Sequence, residues 1–177
     1  IKAGFESFAS SSGPTDPMLG CVAGDDNYPD VAIGRFSSNN PGHIEVQVNK
    51  TINYEKNPNM DPDWRETFIG IGSNEFLNGD DEERDFLHIQ RIYSQRLEKF
   101  TYKTHKENYD PGATAATLAG HVNAGASAIA YCGHGQSSHF VTTEYSNADI
   151  NASTNADKLP FIVAAACYTG AYHTSDN

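Results

Sequence analysis

"TAATLAGHVNAGASAIAYCGHGQS", residues Thr114 to Ser137, is the stretch on which the fold turns. Its first half is small and apolar at helical spacing, and Gly125 stands where a helix closes on a glycine. "ASAIAYC" then reads as a short strand, and it runs out into Gly133-His134-Gly135. A chain that strips the bulk from both neighbours of one histidine leaves the imidazole bare. We read this as a histidine at a sheet edge, open to a substrate; the plainer alternative is a turn residue.

The same grammar extends in both directions. Upstream, "ETFIGIG" holds a short buried strand over Thr67–Ile71, ending in Ser73-Asn74-Glu75. "NGDDEERDFLHIQRIYSQRLEKF" predicts a helix with Phe86, Ile89, Tyr93 and Leu97 as its apolar stripe. Asp80 with Glu83 resembles a capping box at its start. "FTYKTHKEN" alternates like a strand. Downstream, "LPFIVAAAC" is a strand that ends on Cys167. Nearer the N-terminus, the spacing predicts a helix after Pro41 that stops before Pro58, a strand over Val31–Phe36, and a short strand near Leu19–Ala23 within a loop-rich first 30 residues. Strands alternating with helices give an α/β class: a mainly parallel sheet with helices on its faces. Ligands in such sheets bind beyond the C-terminal strand ends, where His134, Cys167 and Glu75 all fall.

Bulk properties narrow the function. The net charge of -11 argues against nucleic acid, whose phosphates need a basic surface. It suits a secreted or cell-surface protein, or attraction for a basic substrate. No apolar run is long enough for a membrane span. The chain opens "IKAGFESFAS" without a methionine, so we expect a processed or trimmed piece. Three cysteines, Cys21, Cys132 and Cys167, cannot all pair with one another.

A histidine and a cysteine at two strand ends form a pair suited to acyl transfer. The thiolate attacks a carbonyl and the histidine supplies the proton that the leaving amine needs. The backbone N–H groups of Gly135 and Cys167 would make an oxyanion hole. A cysteine closing an apolar strand is also commonly a small buried hydrophobe. Cys132, His134 and Cys167, with His139 nearest, would make an incomplete zinc set; Cys132 also reads as a core thiol or a partner for Cys21. The acidic loops "GDDNYPD" and "NGDDEE" suit calcium in composition but match no EF-hand.

"YCGHGQSSHF" followed by "STNADKLPFIVAAACYTG" resembles the gingipain family of cysteine peptidases, most closely its arginine-specific members. "YPDVAIGRFSSNNPGHIEVQVNKTINYEKNP" and "NYDPGATAATLAGHVNAGAS" resemble it as well. The resemblance implies a caspase-like α/β fold and a secreted cysteine endopeptidase acting on polypeptides. It implies Cys167 as nucleophile, His134 as acid and base, Glu75 as the acid supporting His134, and Asp85 as the carboxylate that reads arginine. It implies that residues 1–60 end a first subdomain and 61–177 form the catalytic one up to the nucleophile strand. The chemistry needs no cofactor; a structural calcium accords with the family, as does contact with the remainder of a processed chain. Two rival functions stay open on the residues alone: a non-catalytic binding scaffold of this fold, and a transpeptidase that resolves the thioester with an amine.

Overall fold

A computed structural model describes residues 5–8, 11–14, 16–76 and 82–171. The chain divides at Ile52/Asn53 into two units. In the first, β1 (Phe5–Phe8) and β2 (Ser11–Pro14) pair antiparallel. Helix α1 (Pro41–Lys56) starts on the expected proline, with the Asn40 side chain accepting from the Gly42 N–H at 2.9 Å, and stops short of Pro58. The division between the units falls within α1.

Two expected strands of this unit do not form. Around Leu19 the chain makes a single 3-10 turn, Pro17–Gly20. The Val22 and Ala23 N–H groups that a ladder would use both donate to Asp30 Oδ2 at 2.9 Å. Val31–Phe36 is irregular, and Val31, Ile33 and Phe36 are exposed. Alternation there finds no neighbouring strand among the described residues. The stretch is held instead by Val31 N–H on the Gly20 carbonyl and by Arg35 forked onto Asp16 at 2.5 and 2.8 Å.

The second unit carries the sheet. Short α2 (Pro62–Arg65) is capped by Asp61, and its Trp64 is buried. Trp64 Nε1 donates to the Ala126 carbonyl at 2.9 Å and so pins the entry to the sheet. The elements that follow are β3 (Thr67–Gly72), α3 (Asp85–Ile92), β4 (Thr104–Tyr109), α4 (Ala115–Ala124), β5 (Ala128–Cys132), a small hairpin of β6 (His139–Phe140) and β7 (Tyr145–Ser146), α5 (Asn147–Asn151) and β8 (Phe161–Ala165). The four long strands lie in the order β4–β3–β5–β8, all parallel. The α/β class and the parallel sheet read from the sequence are therefore what the chain forms.

Strand β3 is buried throughout, and its alternation explains the layers. Ile69 and Ile71 join Leu118 of α4, Ile129 and Tyr131 of β5, Ala126 and Tyr145 in one core. The opposite face carries Gly70 and Gly72. A methyl on Gly70 would lie 2.7 Å from Ile89 Cγ2, and one on Gly72 would lie 2.5 Å from Phe86 Cα. Helix α3 thus rests on bare backbone, and the two helices cover opposite faces of β3.

The long helix expected after Asp80 is shorter and less regular. Asp80 lies outside the described residues, and Arg84 holds the N-cap position without a side-chain cap. Regular helix ends at Ile92, followed by a π turn over Tyr93–Leu97 and a 3-10 turn over Glu98–Phe100. Of the expected stripe only Ile89 is fully buried. Tyr93 stacks on Phe68 and on His105, with ring centroids 6.0 and 4.3 Å away; this aromatic packing, absent from a heptad-like stripe, sets the path of the wide turn.

Gly72→Ala should cost about 2 kcal/mol of unfolding free energy in urea, because the Phe86 backbone and not a yielding side chain blocks the methyl; a neutral substitution would refute the tight seat of α3. Burial also holds His105 and His121 below the ordinary histidine range, with Lys106 adding to the effect at His121. The unfolded chain then binds protons where the folded chain does not, so stability falls as pH drops below about 6.5 and is regained above it. A urea midpoint independent of pH between about 5 and 7.5 would contradict this.

Candidate active site

The strand ends meet at the switch between β3 and β5, where the chain passes from one side of β3 to the other. Ser73 N–H donates to the Cys132 carbonyl at 3.1 Å, and Gly133 N–H donates to the Ala165 carbonyl at 3.4 Å. These bonds carry the ladder one residue past each strand and set three loops side by side. Glu75 leaves from β3, His134 from β5 and Cys167 from β8.

Glu75 and His134 come together. His134 Nε2 lies 2.7 Å from Glu75 Oε2. A carboxylate can only accept, so the contact places the proton on Nε2 and leaves Nδ1 as the nitrogen that exchanges a proton with a reactant. Nδ1 has no hydrogen bond among the described residues. Both side chains are about two-thirds exposed, 65% and 64%. A pair that wet adds little to stability, and its effect is to orient the ring.

The histidine's backbone is fixed from beneath. Its carbonyl accepts from the Tyr131 hydroxyl and from Val141 N–H at 3.1 Å. Tyr131 is buried, and burial raises its phenol above the ordinary range. Gly133 lies over that phenol: a methyl there would sit 2.8 Å from Thr142 Oγ1 and 2.9 Å from the Tyr131 hydroxyl. Gly135 is constrained from the other side. Its added methyl would collide with the Cys167 carbonyl and lie 2.7 Å from Thr169 Cγ2. The glycines flanking His134 are therefore packing requirements as well as openings. One lets the loop cross Tyr131, and the other lets it lie against the backbone of Cys167.

Cys167 is exposed, in a turn two residues beyond β8. Its carbonyl accepts from Thr169 N–H at 2.8 Å, and Tyr168 adopts a left-handed φ of 58°. Neither the Gly135 N–H nor the Cys167 N–H has an acceptor among the described residues. Both donors are available to a ligand's oxygen.

Asp85 opens α3, at its positive end. Its Oδ2 accepts from Ser73 Oγ at 2.5 Å, and Cys132 Sγ lies 3.4 Å from its Oδ1. Ser73 Oγ also accepts from Glu75 N–H at 3.2 Å. Ser73 and Tyr131 are the parts that sequence reasoning passed over. The only signal was their place one step from a strand end.

The zinc reading does not survive. Cys132 is directed at Asp85 and forms no disulfide with Cys21. Among the described residues no three His, Cys, Asp or Glu side chains are grouped to hold a metal. In "GDDNYPD", Asp30 accepts from the Val22 and Ala23 N–H groups and Asp26 from the Tyr28 N–H; "NGDDEE" lies largely outside the described residues.

The family model described as Peptidase family C25 matches residues 4–177. Gingipain R2 of Porphyromonas gingivalis is 31% identical over 157 residues, which are 88% of this chain and 21% of that protein. The crystal structure of the Arg specific cysteine proteinase gingipain R (RGPB) superposes with a TM-score of 0.84 at 31% identity, over 92% of this chain and 38% of that one. A complex of the Porphyromonas gingivalis RgpB pro- and mature domains matches with a TM-score of 0.78 at 32% identity, over 85% of this chain and 36% of that one. The chain thus spans about a fifth of gingipain R2.

Gly135→Ala tests the packing at this site. The methyl must displace the Cys167 turn, so unfolding free energy should fall by about 1–3 kcal/mol. Alkylation of Cys167 by iodoacetamide should change in rate as well. A variant like the wild type in both would show that the loops do not touch.

Proposed function

The chain belongs to peptidase family C25, and we propose on that premise that it carries the strand ends of a secreted, caspase-like cysteine endopeptidase. The observation that carries this reading is the Glu75–His134 contact of 2.7 Å on a loop whose Gly135 lies against Cys167.

The steps follow from the residues. The Cys167 thiol gives its proton to His134 Nδ1, the thiolate attacks the scissile carbonyl carbon, and the carbonyl oxygen takes the negative charge between the Gly135 and Cys167 N–H groups. His134 gives a proton from Nδ1 to the amide nitrogen; the C–N bond breaks, the amine leaves, and a thioester remains. Water then attacks the thioester carbonyl and gives its proton to His134. The C–S bond breaks, releasing the acid and the thiolate. Glu75 holds the ring at Nε2 throughout, compensating the charge on the imidazolium.

Asp85 reads arginine. Two neighbours anchor its carboxylate, and each oxygen keeps a lone pair for one arm of a guanidinium. The net charge of -11 favours such a basic substrate. Supporting the reading, the gingipain R structure that the chain resembles is that of an Arg specific cysteine proteinase. The RgpB pro- and mature-domain complex suggests a further partner of the same kind, a pro-segment.

Treatment of the full-length protein with an arginyl chloromethylketone, followed by peptide mapping, should give one adduct on Cys167. Asp85→Asn should lower kcat/KM for arginyl amides about 100-fold, the scale of two charge-assisted hydrogen bonds. Labelling at another residue would overturn the assignment of Cys167. Unchanged arginyl turnover in Asp85→Asn would overturn that of Asp85 alone.

A further inference from the structure

Glu75 depends for its position on a short exposed segment, and one side chain grips that segment on both sides of it. Arg84 Nη1 donates to the Asn74 carbonyl at 2.5 Å and to Asn74 Oδ1 at 3.0 Å. The same guanidinium lies over the Phe76 ring, 4.8 Å from its centroid. Asn74 and Phe76 flank Glu75, so Arg84 holds the residue before it and the residue after it. Backbone bonds complete the hold: Asp85 N–H donates to the Glu75 carbonyl at 3.2 Å. The acids on either side of Arg84 in sequence are engaged elsewhere, Glu83 by Arg91 at 2.7 Å and Asp85 by Ser73 Oγ at 2.5 Å.

We propose that Arg84 is a positioning residue, fixing the 74–76 segment so that the Glu75 carboxylate meets His134. The proposal rests on the functional reading of Glu75 and His134 given above. Its physical basis is the weakness of the pair itself. Both partners are largely in water, where an ion pair gains little and a three-torsion glutamate loses entropy on being held. The contact persists only if the backbone bearing Glu75 is held already. Arginine is fitted to hold it, because Nη1 reaches both acceptors of Asn74 while the guanidinium carbon lies over the Phe76 ring, and a lysine lacks the flat group that does both at once.

The test is a double-mutant cycle in the full-length protein with an arginyl p-nitroanilide. Arg84→Ala should lower kcat about tenfold, the size of coupling usual within one hydrogen-bond network, and leave KM nearly unchanged. In a Glu75→Gln background the same change should lower kcat by less than about twofold, since a neutral amide, however well held, no longer compensates the imidazolium charge. Arg84→Lys should fall between alanine and wild type. An equal loss in both backgrounds, or no loss in either, overturns the proposal. If Arg84→Ala melts well below the wild type, Phe76→Leu replaces it in the cycle: a loss of kcat that needs Glu75 supports the proposal, and one that does not overturns it. If Glu75→Gln is as active as the wild type, the functional reading of Glu75 fails, and this proposal fails with it. If Glu75→Gln is impaired but Arg84→Ala is not, only this proposal fails.

Discussion

The seating of α3 on the backbone of β3 is the contact on which the rest depends. Gly70 and Gly72 leave the C-terminal half of one face of the central strand without side chains, beyond Phe68, so the start of the helix lies against the main chain itself. That closeness brings the first residue of α3 level with the end of β3. Ser73 can then bond Asp85, and the Asp85 N–H can reach the Glu75 carbonyl. A bulkier strand would lift the helix, and the network at the strand ends would separate before any of its members changed.

From this seat the site is built in two tiers. The lower tier is buried: Ser73, Asn108, Thr143 and Tyr131 are all shielded from solvent. The upper tier is wet, and Glu75, His134 and Cys167 all stand in solvent. Precision has to come from below, because interactions in water hold long side chains poorly. The Tyr131 hydroxyl under the His134 carbonyl, and the two glycines either side of it, are how the buried tier aims the wet one.

The sequence revealed the sheet because the sheet is a matter of period. "TFIGIG", "ASAIAYC" and "LPFIVAAAC" are short apolar runs between helical segments, and each became a strand in the order expected. It misled where alternation occurred without a neighbour, as in "VAIGRF", since pairing is a tertiary fact. It misled again after Ile92, where stacking of Tyr93 on Phe68 and His105 replaced the helical stripe. At the site, the residue types and their strand-end positions pointed to His134 and Cys167, and the family resemblance to Glu75. Ser73, Arg84 and Tyr131 could not be picked out, because their importance lies in partners brought close only by the fold.

The strand order also fixes a sequence of events in time. The outermost strand of the sheet on one side, β8, is the last of the four to be synthesised, and it carries Cys167 just beyond its end. Among the described strands it pairs with β5, which in turn pairs with β3, and their entry is fixed by long-range contacts such as Trp64 with Ala126, residues 62 apart in the chain. Closing loops of that length is slow compared with forming the helices. Cys167 is therefore set against the Gly135 loop only once β5 has paired with β3 and β8 with β5, so the surroundings of the thiol form later than the centre of this four-stranded sheet.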